Sequence, residues 1–564
     1  MGYLEVYKSW VDDRFFDEHT RKELKCITSE KEIEDRFYKE LEFGTGGLRG
    51  IMGAGTNRLN KYTVGKVTLG LGHYLLDTYG KDACIERGVV IGFDTRNNSK
   101  EYARVVADVL TGLGVRVYLM KDARPTPQLS FSVPYYKALA GVVITASHNP
   151  KEYNGYKVYD EFGCQLVPSQ ADRVIQYVNK VKDYHSIDFK GNDSLLTFID
   201  NTEEFVSEVY KQQRIKNEII KNNLNVVYTP LHGSGRIPVS MILKRDGFNC
   251  VELVKEQAND DGNFSTVKSP NPEDKEALTL GIELAKELNA DIVLGTDPDC
   301  DRVGIAVKDA NNEYKLLTGN QIGSLLMDFI IRHTDLSELE KPAIVKTIVT
   351  SELGAKIAEK NDIEVFSTLT GFKFIGEKIT QFEKAKDQDD LSRNFDYLFG
   401  YEESYGYLCG THARDKDAVV SSMLICEMAA EAKSQNKTLI DKLNDIYNEY
   451  GYYKDVLESF TLKGKDGIEK INEMMNTLRN ECPFTDVEKI SDFNKTTFEE
   501  HGFGTYPISN VLKYELKDGS WVAVRPSGTE PKIKIYYSIR GNDESDANVR
   551  FETIQNLIKT RMGL

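Results

Sequence analysis

Four stretches of the chain carry side chains whose types and spacing can do chemistry. In "GTDPDCDRVGIAV" (295–307), Asp297, Asp299 and Asp301 stand at i, i+2 and i+4 directly after a buried-strand pattern. In a turn, three such carboxylates converge on one hard cation, and ligation by oxygen alone suits Mg²⁺ or Ca²⁺, not zinc. Without a cation they repel and raise one another's pKa. A solvated acidic turn is the plainer alternative. An EF-hand is excluded, because its sixth position would be Arg302 instead of glycine and its twelfth Lys308 instead of glutamate.

In "ITASHNPKEYNGYK" (144–157), Ser147 stands beside His148 at the end of an apolar run. The stretch has no G-x-S-x-G elbow, and residues adjacent in sequence rarely have nucleophile–base geometry, so a hydrolase dyad is disfavoured. Two readings stay open. "SHNP" is either a helix entry with a polar cap, or the site of a serine that carries a phosphate. Such a phosphate would need a divalent cation, which the three aspartates supply. In "VRPSGTEPKIKIYY" (524–537), Arg525 offers a planar fork to a phosphate, with Ser527, Gly528 and Thr529 adding neutral donors. A β-turn with one solvated arginine would look similar. In "GYEESYGYLCG" (400–410), Glu402 and Ser404 can hydrogen-bond sugar hydroxyls, or the stretch is a glycine-flanked surface turn. Neither "GFKFIGEKI" (371–379) nor "GTGGLRG" (44–50) completes a phosphate-loop or dinucleotide fingerprint.

The elements around these stretches follow a βαβ rhythm. "GVVIGFD" (88–94), the helix-like "SKEYARVVADVLTGLG" (99–114), "VRVYLM" and "ALAGVVITA" imply a largely parallel sheet with both faces covered. The rhythm restarts at "NVVYTPLHGSG" (225–235) and at "AIVKTIVTS" (343–351). From about Tyr453 the pattern changes to charged helical stretches, the strand-like "WVAVRPSGTEPKIKIYYSIRG" (521–541) and a last helix from about Asp543 to Arg561.

A chain of 564 residues is too long for one core. A net charge of -16 argues against nucleic acid or an anionic membrane as the main partner. Eight scattered cysteines with no C-x-x-C suggest neither zinc nor a disulfide framework. No apolar run is long enough to span a bilayer, and the N-terminus has no apolar signal core, so a cytoplasmic protein is expected.

"TASHNP", "DPDCDR", "GYEES" and "RPSGTEP", in this order and at these distances, closely resemble the four signature loops of the α-D-phosphohexomutase superfamily. The resemblance runs from "FGTGGLRG" to "KIKIYY", essentially the whole chain. "FGTGGLRG", "LTGFKFIGEKI" and "RDKDAV" (414–419) are similar to a branch of long bacterial enzymes, the type-2 phosphoglucomutase and phosphopentomutase branch. The resemblance implies three successive doubly wound α/β domains plus a C-terminal α+β domain around a central cleft. Expected boundaries are 1–205 with the phosphoserine loop, 206–320 with the metal loop, 321–445 with the sugar loop and 446–564 with the phosphate-binding loop.

By matching positions, the resemblance makes Ser147 the phosphoserine, and Asp297, Asp299 and Asp301 with the Ser147 phosphate the holders of one Mg²⁺. Arg49, Lys157 and Arg302 match basic groups around the transferring phosphate. Lys373 matches a lysine of proton transfer or substrate contact, and His148 belongs to the serine loop. Glu402 and Ser404 match the sugar loop; Arg525, Ser527, Gly528 and Thr529 match the grip on the non-reacting phosphate. The implied activity interconverts glucose 1-phosphate and glucose 6-phosphate, with glucose 1,6-bisphosphate as intermediate and activator. Paired glutamates accompany glucose preference, while the inserted Tyr401 leaves pentose phosphates open. A mutase of mannose phosphates by the same mechanism, or a phosphosugar sensor, is also compatible with these motifs. The implied partner is a small phosphosugar, with no nucleic acid and no membrane; the sequence gives no oligomeric state.

Overall fold

The computed structural model describes residues 2–44, 47–309, 311–462, 465–495, 503–527 and 532–564. The chain divides into two compact units, Met1–Leu317 with Gly406–Lys433, and Thr318–Tyr405 with Ser434–Leu564.

In the first unit, three lead-in helices (Tyr3–Asp12, Glu18–Lys25, Glu30–Phe37) gather around Trp10, Phe16, Phe37 and Tyr62. A six-stranded sheet follows, in the order Leu48–Ile51, Tyr153–Tyr159, Ala140–Ile144, Val89–Phe93, Val117–Met120, Leu196–Ile199. Its central strands are parallel. Val89, Ile91 and Phe93 pack with Val67, Leu71, Val106 and Leu110 of the helices Lys61–Tyr79 and Ser99–Gly112. Val90, between them, packs with Leu129 and Val133 of the helix Thr126–Tyr135 on the other face. Alternate residues of one strand thus enter two cores, which is why the strand reads as a continuous apolar run.

A second sheet has the order Tyr314–Leu316, Val303–Lys308, Ile292–Thr296, Val226–Thr229, Val251–Leu253. Both sheets are mixed, where the βαβ rhythm predicts mainly parallel strands. In each, a parallel strand turns back into an antiparallel neighbour: Ala140–Ile144 into Tyr153–Tyr159, and Ile292–Thr296 into Val303–Lys308. The connecting residues, 145–152 and 297–302, are too few for a crossover, which needs about a dozen, so an antiparallel return is the outcome. Those two returns are the serine and aspartate motifs.

In the second unit, Pro342–Thr347, Glu364–Thr368 and Asp396–Glu402 run parallel. The C-terminal part is a five-stranded antiparallel sheet, in the order Tyr452–Thr461, Lys532–Gly541, Trp521–Pro526, Leu512–Leu516, Val487–Asp492. Helices Lys465–Asn480 and Glu544–Met562 cover it through Ile471, Met475, Ile554 and Ile558. The region from Tyr453, expected to begin helical, begins instead with the strand Tyr452–Thr461. Its pairing along the full length of Lys532–Gly541 overrides the helical look of its charges.

Candidate active site

The fully buried strand Ala140–Ile144 delivers its chain to Ser147, whose φ of 52° lies in the left-handed region. For a non-glycine residue that conformation costs about 1–2 kcal/mol and needs outside support. Arg96 supplies it. Its guanidinium donates to the carbonyls of Ser147 and Asn149, and to those of Pro150 and Tyr153 at 2.9 and 3.1 Å. Asp94 pairs with Arg96 at 3.3 Å, both side chains fully buried. Asp94 also accepts from Thr145 Oγ1 at 2.7 Å, and that hydroxyl accepts from the Ser147 N–H at 2.8 Å.

Ser147 Oγ donates to Asp297 Oδ2 at 2.7 Å, and His148 Nδ1 lies 3.2 Å from the same serine oxygen. Burial, with Arg302 and Arg49 alongside, pushes the His148 imidazole well below its ordinary range. Asp297, Asp299 and Asp301 are buried, with one oxygen from each lying within 4.8 Å of the others. Burial and the neighbouring carboxylates push Asp297 and Asp301 up, while Lys157 holds Asp299 down against the same burial. Among the described residues, Asp299 Oδ1 and Asp301 Oδ1 are buried and accept no hydrogen bond. Oxygen-only donors, three crowded carboxylates and unused buried lone pairs together fit a hard divalent cation. Asp297 Oδ1 is already engaged, accepting from the N–H groups of Asp301 and Arg302.

Three expected basic residues reach this centre. Lys157 Nζ stands 3.1 Å from Asp299 and 3.7 Å from Asp301. Arg302 pairs with Glu273 at 2.7 Å, and Arg49 donates to Asn149 Oδ1 at 3.2 Å. Arg49 comes into place because its strand pairs with Tyr153–Tyr159. Gly47, at φ 96°, permits the approach, since a Cβ there would lie 2.2 Å from the Tyr156 carbonyl. A fourth cation was not foreseen: Lys416 Nζ lies 3.2 Å from Asp301 Oδ2. Arg96 and Asp94 were not foreseen either. The available signals were an acid and an arginine directly after a buried strand ("FDTR"), and alternating charges ("RDKD") before the buried helix Ala418–Ser434.

The remaining expected residues lie in the second unit. Glu402, at the end of its strand, is buried and accepts from the Gly371 N–H at 2.8 Å; Gly371 caps the helix Phe372–Asp387, whose second residue is Lys373. Ser404 follows, half-buried. Burial pushes the Tyr536 phenol up, with Glu403, Arg525 and Glu402 all acting on it, so the sugar and phosphate motifs lie near the same side chain. The Ser527 N–H donates to the Lys532 carbonyl at 2.7 Å. Gly528 and Thr529 lie outside the described residues. Tyr401 is fully buried against Gly323 and Gly354, where a Cβ would lie 2.2 and 2.3 Å from its side chain; it is a core residue behind the loop.

Four families match the chain in order, all described as phosphoglucomutase/phosphomannomutase: alpha/beta/alpha domain I over residues 40–185, domain II over 203–311, domain III over 318–450, and the C-terminal domain over 463–553. A phosphoglucomutase of Staphylococcus epidermidis is 39% identical over 543 residues, 94% of this chain and 96% of that protein. The chain belongs to the phosphoglucomutase/phosphomannomutase family. A Staphylococcus aureus phosphoglucomutase is also 39% identical, over 530 residues, covering 92% of this chain and 93% of its own. Among solved structures, the open form of parafusin, a phosphoglucomutase from Paramecium, aligns with a TM-score of 0.69 at 16% identity, covering 93% of this chain and 96% of its own. A putative phosphomannomutase from Thermus thermophilus aligns at 0.67 and 22% identity, covering 92% of this chain and 99% of its own. At those identities the likeness is one of fold.

Proposed function

We propose that this family member is a phosphoglucomutase, interconverting α-D-glucose 1-phosphate and glucose 6-phosphate through a phosphorylated Ser147 and a glucose 1,6-bisphosphate intermediate. The observation that carries the reading is the Ser147 hydroxyl, seated 2.7 Å from the first of three buried aspartates that want a cation. The phosphoglucomutase names of relatives at 39% identity add support.

In this reading the free sugar hydroxyl attacks the phosphorus on Ser147, the Oγ–P bond breaks, and the hydroxyl proton leaves to a base. Lys373, matched by resemblance to a lysine of proton transfer, is the group proposed to take it, while His148 Nδ1 beside Ser147 Oγ stands on the leaving-group side, where it hydrogen-bonds the serine oxygen. The bisphosphate then reverses, and Ser147 Oγ takes the phosphoryl from the 1-position, leaving glucose 6-phosphate. Asp297, Asp299 and Asp301 would hold Mg²⁺, which when bound neutralises charge on the phosphoryl and serine oxygens. Lys157, Arg302 and Arg49 add fixed positive charge around the transferring group. Glu402 and Ser404 orient the sugar hydroxyls, Lys373 contacts the substrate, and Arg525 with Ser527, Gly528 and Thr529 grips the second phosphate. The domain divisions 1–205, 206–320, 321–445 and 446–564 assign one of these loops to each domain.

The test is kcat/KM measured side by side for glucose 1-phosphate, mannose 1-phosphate and ribose 1-phosphate. Glucose 1-phosphate is expected to lead, because an unpaired buried hydroxyl partner costs about 1–3 kcal/mol. Equal efficiency on mannose 1-phosphate, or a large preference for ribose 1-phosphate, would overturn the sugar assignment.

A further inference from the structure

Lys416 reaches the aspartate cluster from the "RDKDAV" segment, and its own surroundings are built. The fully buried Tyr159, last residue of the strand Tyr153–Tyr159, donates from its hydroxyl to Asp415 Oδ2 at 2.7 Å. Asp415 Oδ1 accepts from Lys416 twice, from its N–H at 2.8 Å and from Nζ at 3.0 Å. Nζ then faces Asp301 Oδ2 at 3.2 Å. The lysine stem is fixed too: a Cβ on Gly406 would lie 2.1 Å from Lys416 Cδ, so the glycine leaves room for the stem to pass. A lysine is a point charge on a four-carbon stem, and its place is set by the anions it meets. Here one anion, Asp415, is held by a tyrosine, and the other belongs to the cation-binding cluster.

We propose that Tyr159 and Asp415 are positioning residues that hold the Lys416 ammonium at the rim of the aspartate cluster, where it neutralises charge without taking the place of the cation. Asp415 and Asp301 share the ammonium. With Asp415 weakened, the ammonium moves onto Asp301 and competes with the incoming cation for that carboxylate. The cation-binding part of the inference needs only the cluster; its kinetic part rests on the phosphoglucomutase reading.

The experiment measures Mn²⁺ binding to the metal-free full-length protein by calorimetry or spin resonance, together with kcat and KM for glucose 1-phosphate. Tyr159→Phe changes neither charge nor ring. It is expected to weaken Mn²⁺ binding about 3-fold and lower kcat about 3- to 10-fold, with KM within about 2-fold of the parent. Asp415→Asn should weaken Mn²⁺ binding about 10-fold, and adding Lys416→Met should bring it back to within about 3-fold of the parent while kcat stays low. Parental Mn²⁺ affinity and kcat in Tyr159→Phe would overturn the proposal. So would weakened binding in Asp415→Asn that Lys416→Met leaves uncorrected. If Asp415→Asn fails to fold, Tyr159→Phe decides alone. A parent inactive on glucose 1-phosphate would count against the phosphoglucomutase reading, whereas the Mn²⁺ comparison uses no sugar and tests the positioning separately.

Discussion

Ser147 has a histidine beside it in sequence, yet its shorter hydrogen bond goes to Asp297, 150 positions away. An oxygen held against a carboxylate is poorly placed to attack as a bare nucleophile, because the carboxylate and a second anion would repel. The same oxygen is well placed once a cation lies among the three aspartates, and that is the sense of the crowding at this point. Asp299 is the member most committed to charge: Lys157 Nζ lies 3.1 Å and Thr126 Oγ1 3.0 Å from its Oδ2. Asp299→Asn keeps the shape and removes the charge. We expect kcat to fall by at least about 10³-fold with Tm within a few degrees of the parent, since the amide still accepts from both neighbours. Steady-state assay with a thermal melt checks this, and a variant with more than a tenth of parental activity would contradict the role given to the aspartate.

The serine loop is shaped from below by a side chain that touches no predicted site residue except through backbone. Arg96 gathers four carbonyls of residues 147–153, and only a planar guanidinium can donate in that many directions at once. In Arg96→Lys the charge remains and the fork is lost. The expected result is a kcat lower by about 10- to 100-fold, a smaller change in KM and faster amide exchange across residues 146–149. Unchanged exchange and kcat would show the loop to be held otherwise. Arg96 also explains why the site was only partly legible in the sequence. Asp297, Asp299 and Asp301 carry their signal within five consecutive residues, and the buried strands announce themselves by continuous apolar runs. The Arg96 contacts lie 51 to 57 positions away, and Lys416 meets Asp301 from another part of the chain. "FDTR" alone reads as an ordinary turn. The antiparallel returns behind both motifs were hidden because a short apolar run does not state its direction. Tyr452–Thr461 was hidden because its partner strand, Lys532–Gly541, lies far along the chain, near its other end.

At the scale of the molecule, the segment Gly406–Lys433 belongs with the first unit although the domain III match spans 318–450. Its helix is tied there by a buried ion cluster. Glu427 accepts from the N–H groups of Arg214 and Ile215 at 2.8 and 3.1 Å, and Lys221 Nζ lies 2.9 Å from Glu427 and 2.7 Å from Asp246. All three ionisable side chains are almost wholly buried. Lys221→Met leaves two carboxylates without their cation, a loss on the order of 3–5 kcal/mol. Burial, then Glu427, pushes Asp246 up to about 7. Its folded pKa therefore lies above the unfolded value of about 3.9, so its contribution to stability is full below about pH 4 and declines as pH rises through about 7. Without the ammonium that decline should steepen, and the Tm deficit of Lys221→Met should be larger at pH 8 than at pH 5.5. An equal deficit at both pH values would contradict the assignment. In the proposed mechanism Ser147 carries the phosphoryl group between turnovers, and one measurement reaches that step directly. Enzyme stripped of phosphate is assayed on glucose 1-phosphate with and without glucose 1,6-bisphosphate, and the Ser147 peptide is examined by mass spectrometry in both cases. Expected are a lag or no turnover without bisphosphate, full rate with it, and phosphate on Ser147 only in the second case. Full rate from the stripped enzyme with no phosphate donor, and Ser147 unmodified, would contradict it.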